Sequence, residues 1–386
     1  MFRKKMPLIL LAVILAIIFL DRFIPIEIKS VLYAISLSIK SVIVFLLPII
    51  IFTLLFKAAI NLANSATKII GLIFASVIIS NFISTFLSHF VGMWVYQFDL
   101  SLILPSAINE LVPRWSFELP KLINNDKAMF AGLILGVLAS MTRPSIARIV
   151  ANKLEIIVMN ILNIFTYFIP FFVAGFVVKL QYDGVMGTIV KDYSLIFVVI
   201  ACAQFSYIAL IYFLANNGNV RAFVTSIKNM LPAAITGFST MSSAAAMPFT
   251  IIGAEKNSEN KDLVRSIIPA TVNIHLIGDC FAIPIFAYAV LKNYSMLEPS
   301  MSQYLSFAFY FVLAKFSVAA IPGGGIIVML PILESHLGFN AQMMSLITAL
   351  YILFDPVITC ANVLGNGGFA MVIDRLVASL KNKGLL

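Results

Sequence analysis

Long uncharged apolar runs recur along the whole 386-residue chain, and two of them are broken at their midpoints by residues that a straight helix does not carry. A helix crossing a bilayer needs about 20 mostly apolar residues. Runs of that kind lie at Pro7–Phe23, Ser30–Ala63, Ile69–Phe98, Lys127–Thr142, Ile146–Leu180 and Tyr193–Ala215. Two more lie at Val264–Leu291 and Leu346–Leu376. The second run carries Lys40 and is expected to bend or break near Pro48, and Pro170 is expected to kink the fifth. Only 11% of the residues are charged and mean hydropathy is +1.03, against about 25% charged in soluble domains. These values exclude a soluble enzyme, a disordered tail and a nucleic-acid-binding domain.

The two broken runs carry more information. Asn229–Ala254 is uncharged for 26 residues, yet holds Pro232, the cluster Ser239–Ser243 and Pro248. Tyr304–Phe339 is interrupted by Pro322, Gly323, Gly324 and Gly325, and carries Lys315. Lipid cannot satisfy exposed N–H and C=O groups, so irregular backbone at bilayer depth must be buried in protein or line a polar cavity. Each broken run precedes a span with ionisable residues, and such paired broken segments point to repeats and a midplane binding site in secondary transporters. Re-entrant hairpins that return to their own side leave eight full spans. The result is an all-α polytopic membrane protein with both termini cytoplasmic.

The formal charge of +9 fits that topology. Arg3, Lys4, Lys5, Lys57, Lys68, Arg143, Arg148, Lys153, Arg221, Lys228, Lys381 and Lys383 fall in connections that alternate to the cytoplasmic side. The opposite connections hold Asp99, Glu110, Arg114, Glu118, Lys121 and Asp126. The first apolar run is not followed by an A-x-A-like cleavage site, so it reads as an uncleaved span. Cys202, Cys280 and Cys360 sit inside apolar runs with no CxxC spacing and read as packing residues.

An ionisable side chain inside a span costs about 2.5–3.5 kcal/mol on insertion scales. Asp355 therefore needs a reason: either a structural hydrogen-bond network or a substrate ammonium group. Thr359 at i+4 and Asn362 one turn further make one polar stripe with it. Ser242 and Ser243 either satisfy nearby carbonyls or, at a broken-segment tip with free N–H groups, cradle a carboxylate. Pro322 to Gly325 give a tip whose backbone can approach a ligand closely. His275 and Asp279, four residues apart on one face, suggest an ion pair or a proton relay. Lys315 either snorkels or is a tethered cation in the polar core. His89 and Lys40 read as packing or interfacial residues.

At these residues the chain resembles the dicarboxylate/amino acid:cation symporters, the glutamate-transporter fold. Ser239-Thr-Met-Ser242-Ser243-Ala-Ala-Ala-Met-Pro248 is similar to that family's first hairpin, and Thr271-Val-Asn273-Ile-His275 stands in place of its N-M-D-G-T signature. Ala319-Ala-Ile-Pro322-Gly-Gly-Gly325 is similar to its second hairpin tip, and Asp355, Thr359, Asn362 and Asn366 keep its last-span spacing. The resemblance implies an elevator-type symporter of the plasma (inner) membrane, a homotrimer, with lipid and a small molecule as its other partners and no cofactor beyond sodium or a proton. Residues 1–63 and 127–182 would be scaffold. Residues 64–126 and 183–220 would be transport-domain helices three and six, and 221–386 the transport core.

By the same resemblance Asp355 would hold the substrate ammonium, and Asn362 with Ser242 and Ser243 its α-carboxylate, beside Thr359, Pro322 and Gly323. Acidic-substrate members place an arginine where this chain has Met241 or Ile358, which implies a neutral amino acid, with a sodium-coupled symporter of an acidic amino acid or dicarboxylate as the alternative. His275 and Asn366 replace carboxylates that ligate sodium, and Lys315 falls beside Thr271, near a further cation position. Sodium coupling would then be weakened, with Thr271, Asn273, His275, Asp279, Lys315 and Asn366 as coupling residues and a proton as the alternative ion. A channel or an intramembrane aspartyl protease built on Asp279 and Asp355 are the competing classes. The first lacks a repeated filter motif and the second its GxGD context.

Overall fold

The computed structural model describes residues 6–63, 68–98, 111–120, 122–184, 186–318 and 323–383. The hairpin-tip residues Ala319, Ala320, Ile321 and Pro322 lie outside them, as do Arg3, Lys4, Lys5, Asp99, Glu110 and Lys121. Every regular element among the described residues is helical.

The first group of helices is α1 (Met6–Leu20), α2 (Ile26–Ala63), α4 (Asn125–Thr142) and α5 (Pro144–Tyr182). Helix α2 runs unbroken through Pro48, and α5 through Pro170. The expected interruption at Pro48 is absent. A proline removes one ladder bond, and neighbouring turns can carry the helix past it when adjacent helices pack around the site. Helix α4 lies close on α2 because Gly132 and Gly136 present no side chain there. A Cβ at either glycine would sit 2.7 Å from the carbonyl oxygens of Phe52 or Phe56. Small residues four apart are how membrane helices approach without a hydrophobic drive. Ser36 Oγ in α2 donates to the Phe172 carbonyl of α5 at 2.8 Å, and Lys57 pairs with Glu155.

The second group begins with α3 (Lys68–Tyr96) and α6 (Met186–Ala215). Ile79, Ile83, Leu87, Phe90 and Trp94 are exposed along one side of α3, the signature of a lipid-facing surface. Two pairs of consecutive helices pack on each other. The first is α7 (Val220–Thr240) with α8 (Ser243–Glu255), and the second is α11 (Met301–Lys315) with α12 (Gly324–Leu337). Between and after them come α9 (Lys261–Thr271), α10 (Ile277–Asn293) and α13 (Ala341–Asn382).

Helix starts in this half follow the usual chemistry. Asn219, Ser242, Asn260, Ser300 and Asn340 each accept an N–H from the first turn of α7, α8, α9, α11 and α13. Helix α13 forms the axis of this group, packed by α6, α7, α8, α9, α10 and α12. Among the described residues four helices are long and apolar enough to cross a membrane: Ile26–Ile60, Gly71–Tyr96, Tyr193–Ala215 and Ala341–Asn382.

The run Val264–Leu291 is not one continuous span. It splits into α9 and α10 around non-helical residues 272–276. Helix α3 holds that break open, with Asn81 Nδ2 donating to the Ile274 carbonyl at 2.7 Å and Asn81 Oδ1 accepting from Leu276 N–H at 3.3 Å.

Candidate functional site

Non-helical backbone at residues 272–276, a hairpin end and the polar stripe of α13 meet in the interior. Asp355 is 3% exposed. Its Oδ2 accepts the Gly323 N–H at 2.9 Å, and its Oδ1 accepts from Thr359 Oγ1 at 3.0 Å. Gly323 has φ of 71°, a left-handed conformation that glycine adopts without a Cβ clash, and so it turns the chain into α12 with its N–H aimed at α13. Pro356 follows Asp355 and has no N–H, so the helix ladder is one bond short beside this carboxylate.

Asp279 forms a second node, in the first turn of α10. Tyr351 Oη donates to its Oδ1 at 2.7 Å and Asn362 Nδ2 to its Oδ2 at 2.8 Å. Lys315 Nζ stands 3.6 Å from the same Oδ1. Asn362 Oδ1 also accepts the Gly278 N–H at 2.8 Å, so both ends of this amide are engaged inside the protein. Gly325 closes over the node. A Cβ there would collide with Asp279 Oδ1 and the Tyr351 hydroxyl.

A third node is built on Asn366. Its Oδ1 accepts from Thr271 Oγ1 at 3.0 Å and its Nδ2 donates to the His275 carbonyl at 3.3 Å. His275 itself lies in the break, fully buried, with Nε2 2.9 Å from Ser80 Oγ and its ring 4.2 Å from that of Phe369. The expected pairing of His275 with Asp279 does not form. The two were placed on one helical face, and the break turns them to different partners. Asn273, in the same break, is exposed.

Lys315 does not snorkel: its side chain is 0% exposed. Ser242 caps α8, accepting the Ala245 N–H at 3.3 Å, and Ser243 is buried at its first turn. Between them and α7, Met241 takes φ of 50°, a left-handed position that costs a side-chain-bearing residue about 1–2 kcal/mol. Ile358 is buried, with its carbonyl against Gly278. The structure therefore gathers Asp355, Thr359 and Gly323 at one node, Asp279, Lys315 and Asn362 at a second, and Thr271, His275 and Asn366 at a third. No hydrogen bond joins Asp279 to Asp355 among the described residues, and each carboxylate keeps its own donors.

Several contributors escape a sequence reading. Tyr351 extends the polar stripe one turn before Asp355, and i−4 spacing was the available signal. Asn81 and Ser80 carried none, since their partners are nearly 200 residues away. Among the described residues no cluster of His, Cys, Asp and Glu could hold a metal ion. His89 fills the packing role expected of it, with Nδ1 2.6 Å from Tyr288 Oη.

Comparison with known proteins bears on this arrangement. Human excitatory amino acid transporter 1 is 27% identical over 241 residues, covering 60% of this chain and 43% of that protein. Mouse excitatory amino acid transporter 4 is 27% identical over 253 residues, covering 64% of this chain and 44% of that protein. The match thus spans less than half the length of these relatives. The family model of the sodium:dicarboxylate symporters matches residues 122–376, a stretch that contains all three nodes. The chain belongs to the sodium:dicarboxylate symporter family.

Proposed function

We propose that this protein is a secondary active symporter that carries an α-amino acid together with a cation, and that Asp355 holds the ammonium group of its substrate. The carrying observation is the buried Asp355 carboxylate, whose two donors, Gly323 N–H and Thr359 Oγ1, are neutral. Among the described residues no cation forms an ion pair with it, Lys315 being paired with Asp279. A substrate ammonium supplies the missing charge. Ser242 and Ser243, at the start of α8, are the proposed contacts for the α-carboxylate.

The family description and the relatives' names support sodium coupling and an acidic amino acid or dicarboxylate as cargo. A second reading, a neutral amino acid with proton or altered coupling, is supported by Met241 and Ile358, both apolar and buried. His275 and Asn366 support the altered coupling, because by the family resemblance they replace carboxylates, the first with an imidazole and the second with an uncharged amide. In either case α1, α2, α4 and α5 form the scaffold in this proposal, and the second group moves against it. Eight spans, two re-entrant hairpins and cytoplasmic termini are part of the same proposal.

The test is ligand-induced stabilisation of the purified chain, because a ligand that binds only the native state raises the melting temperature with occupancy. Amino acids are expected to raise it and Asp355→Asn to remove the effect while leaving the unliganded melt within a few degrees. A dicarboxylate without an ammonium group that stabilises wild type and Asp355→Asn equally would sink the assignment. Whether acidic or neutral side chains act, and with or without sodium, separates the two readings.

A further inference from the structure

Lys315 is the last residue of α11, fully buried, with its ammonium 4.4 Å from the centroid of the Phe311 ring. Its Nζ has no hydrogen-bond partner among the described residues. Among the described residues its one ion pair is with Asp279, at 3.6 Å. Asp279 is equally buried and receives two further donors, Tyr351 Oη and Asn362 Nδ2, both neutral. Two neutral hydrogen bonds relieve part of the desolvation of a carboxylate but do not cancel its charge, and a buried charge needs an opposite one. Lys315 is that opposite charge, and it comes from the second hairpin, whereas Asp279 belongs to α10 and its donors to α13.

An ammonium that serves only as a buried structural ion normally spends its three hydrogens on oxygens. Here it balances the carboxylate at 3.6 Å without a hydrogen bond and rests over the face of Phe311, so the charge of Asp279 is met from within the chain. Ser317 Oγ, two residues on, is also buried without a partner among the described residues. We propose that Lys315 is a tethered counter-cation for Asp279, filling from within the chain a position that a mobile monovalent cation would otherwise have to fill. Such a cation is never released, so it cannot contribute to gradient coupling, and any coupling ion binds elsewhere. That last consequence rests on the transporter reading. The ion response of the folded chain does not.

The experiment measures melting of the purified full chain, without substrate, in sodium, potassium or choline chloride at one ionic strength. Lys315→Ala is expected to melt lower than wild type in choline and to recover saturably with sodium, giving a larger sodium increment than wild type. Equal sodium increments in the two proteins overturn the proposal. If Lys315→Ala does not fold, the pair is tested by Lys315→Met, Asp279→Asn and the double variant. A double variant that melts above Asp279→Asn alone supports the pairing, because it removes the stranded ammonium. A double variant that shows the summed losses of the two single changes overturns it. Failure of the transport reading appears separately, as a wild type that no amino acid stabilises.

Discussion

At the scale of single residues, Asn362 shows how a polar stripe divides its labour. The helical spacing of Asp355, Thr359, Asn362 and Asn366, three or four residues apart, was plain in the sequence, and the four are buried along α13 as one interior stripe. The direction each side chain takes was not, because it depends on partners from α10 and the hairpins. Asn362 donates to Asp279 and accepts from Gly278, which uses both ends of the amide before any ligand arrives. Asn362→Ala is therefore expected to destabilise the unliganded chain by about 1–3 kcal/mol, the cost of a buried charge left short of a donor, and so to lower its melting temperature. A thermal melt without substrate checks this. An unchanged melt with weakened ligand response would instead return Asn362 to a purely ligand-binding role. Tyr351 completes the same node from one turn earlier, and it was overlooked because its aromatic ring counts as apolar while its hydroxyl does the bonding.

At the scale of elements, broken helices were legible where glycine, proline or clustered serine interrupt a run. The α7–α8 break falls under that rule at Met241–Ser242, and α12 starts at Gly324 after Gly323. The break between α9 and α10 does not, since residues 272–276 read Val-Asn-Ile-His-Leu and Pro269 lies before them. What keeps that segment from continuing as a helix is Asn81, which substitutes for lost helix partners by bonding the Ile274 carbonyl and the Leu276 N–H. Local sequence cannot report a partner supplied by another helix. Asn81→Ala leaves two buried backbone groups unpaired, each worth about 1–3 kcal/mol. The variant is expected to melt several degrees lower and to exchange the Leu276 amide hydrogen faster, while amides within α7 and α8 keep their protection. Uniform exchange across all of these helices would mean that the break is held by its own backbone and not by α3.

At the scale of the whole molecule, the division into two helix groups explains why some apolar surface needs a partner other than lipid. Along the outer side of α5, Asn152, Ile156, Asn160 and Ile164 are exposed at four-residue spacing. Isoleucine is at home in lipid, Asn152 adjoins Lys153 at the proposed cytoplasmic end, and the Asn160 amide two turns further in is short of water and is of the kind that hydrogen-bonds between helices. The helix bearing them belongs to the proposed static scaffold, so a partner can rest on it without hindering the movement of the other group. Further copies of the chain meet these conditions, since a closed ring buries the same stripe on every protomer, and the family resemblance implies three of them. Native mass spectrometry of the detergent-purified protein is expected to show three chains of 42.4 kDa each. Asn152→Leu with Asn160→Leu should shift the population toward monomer, each interhelical hydrogen bond contributing about 0.6 kcal/mol, multiplied over three interfaces. Both asparagines lie far from Asp355 in the chain and on the other helix group, so amino-acid stabilisation of the released monomer is expected to persist. Its loss along with the trimer would tie the site to the assembly, and a trimer unmoved by the double change would place the interface on another face of the scaffold.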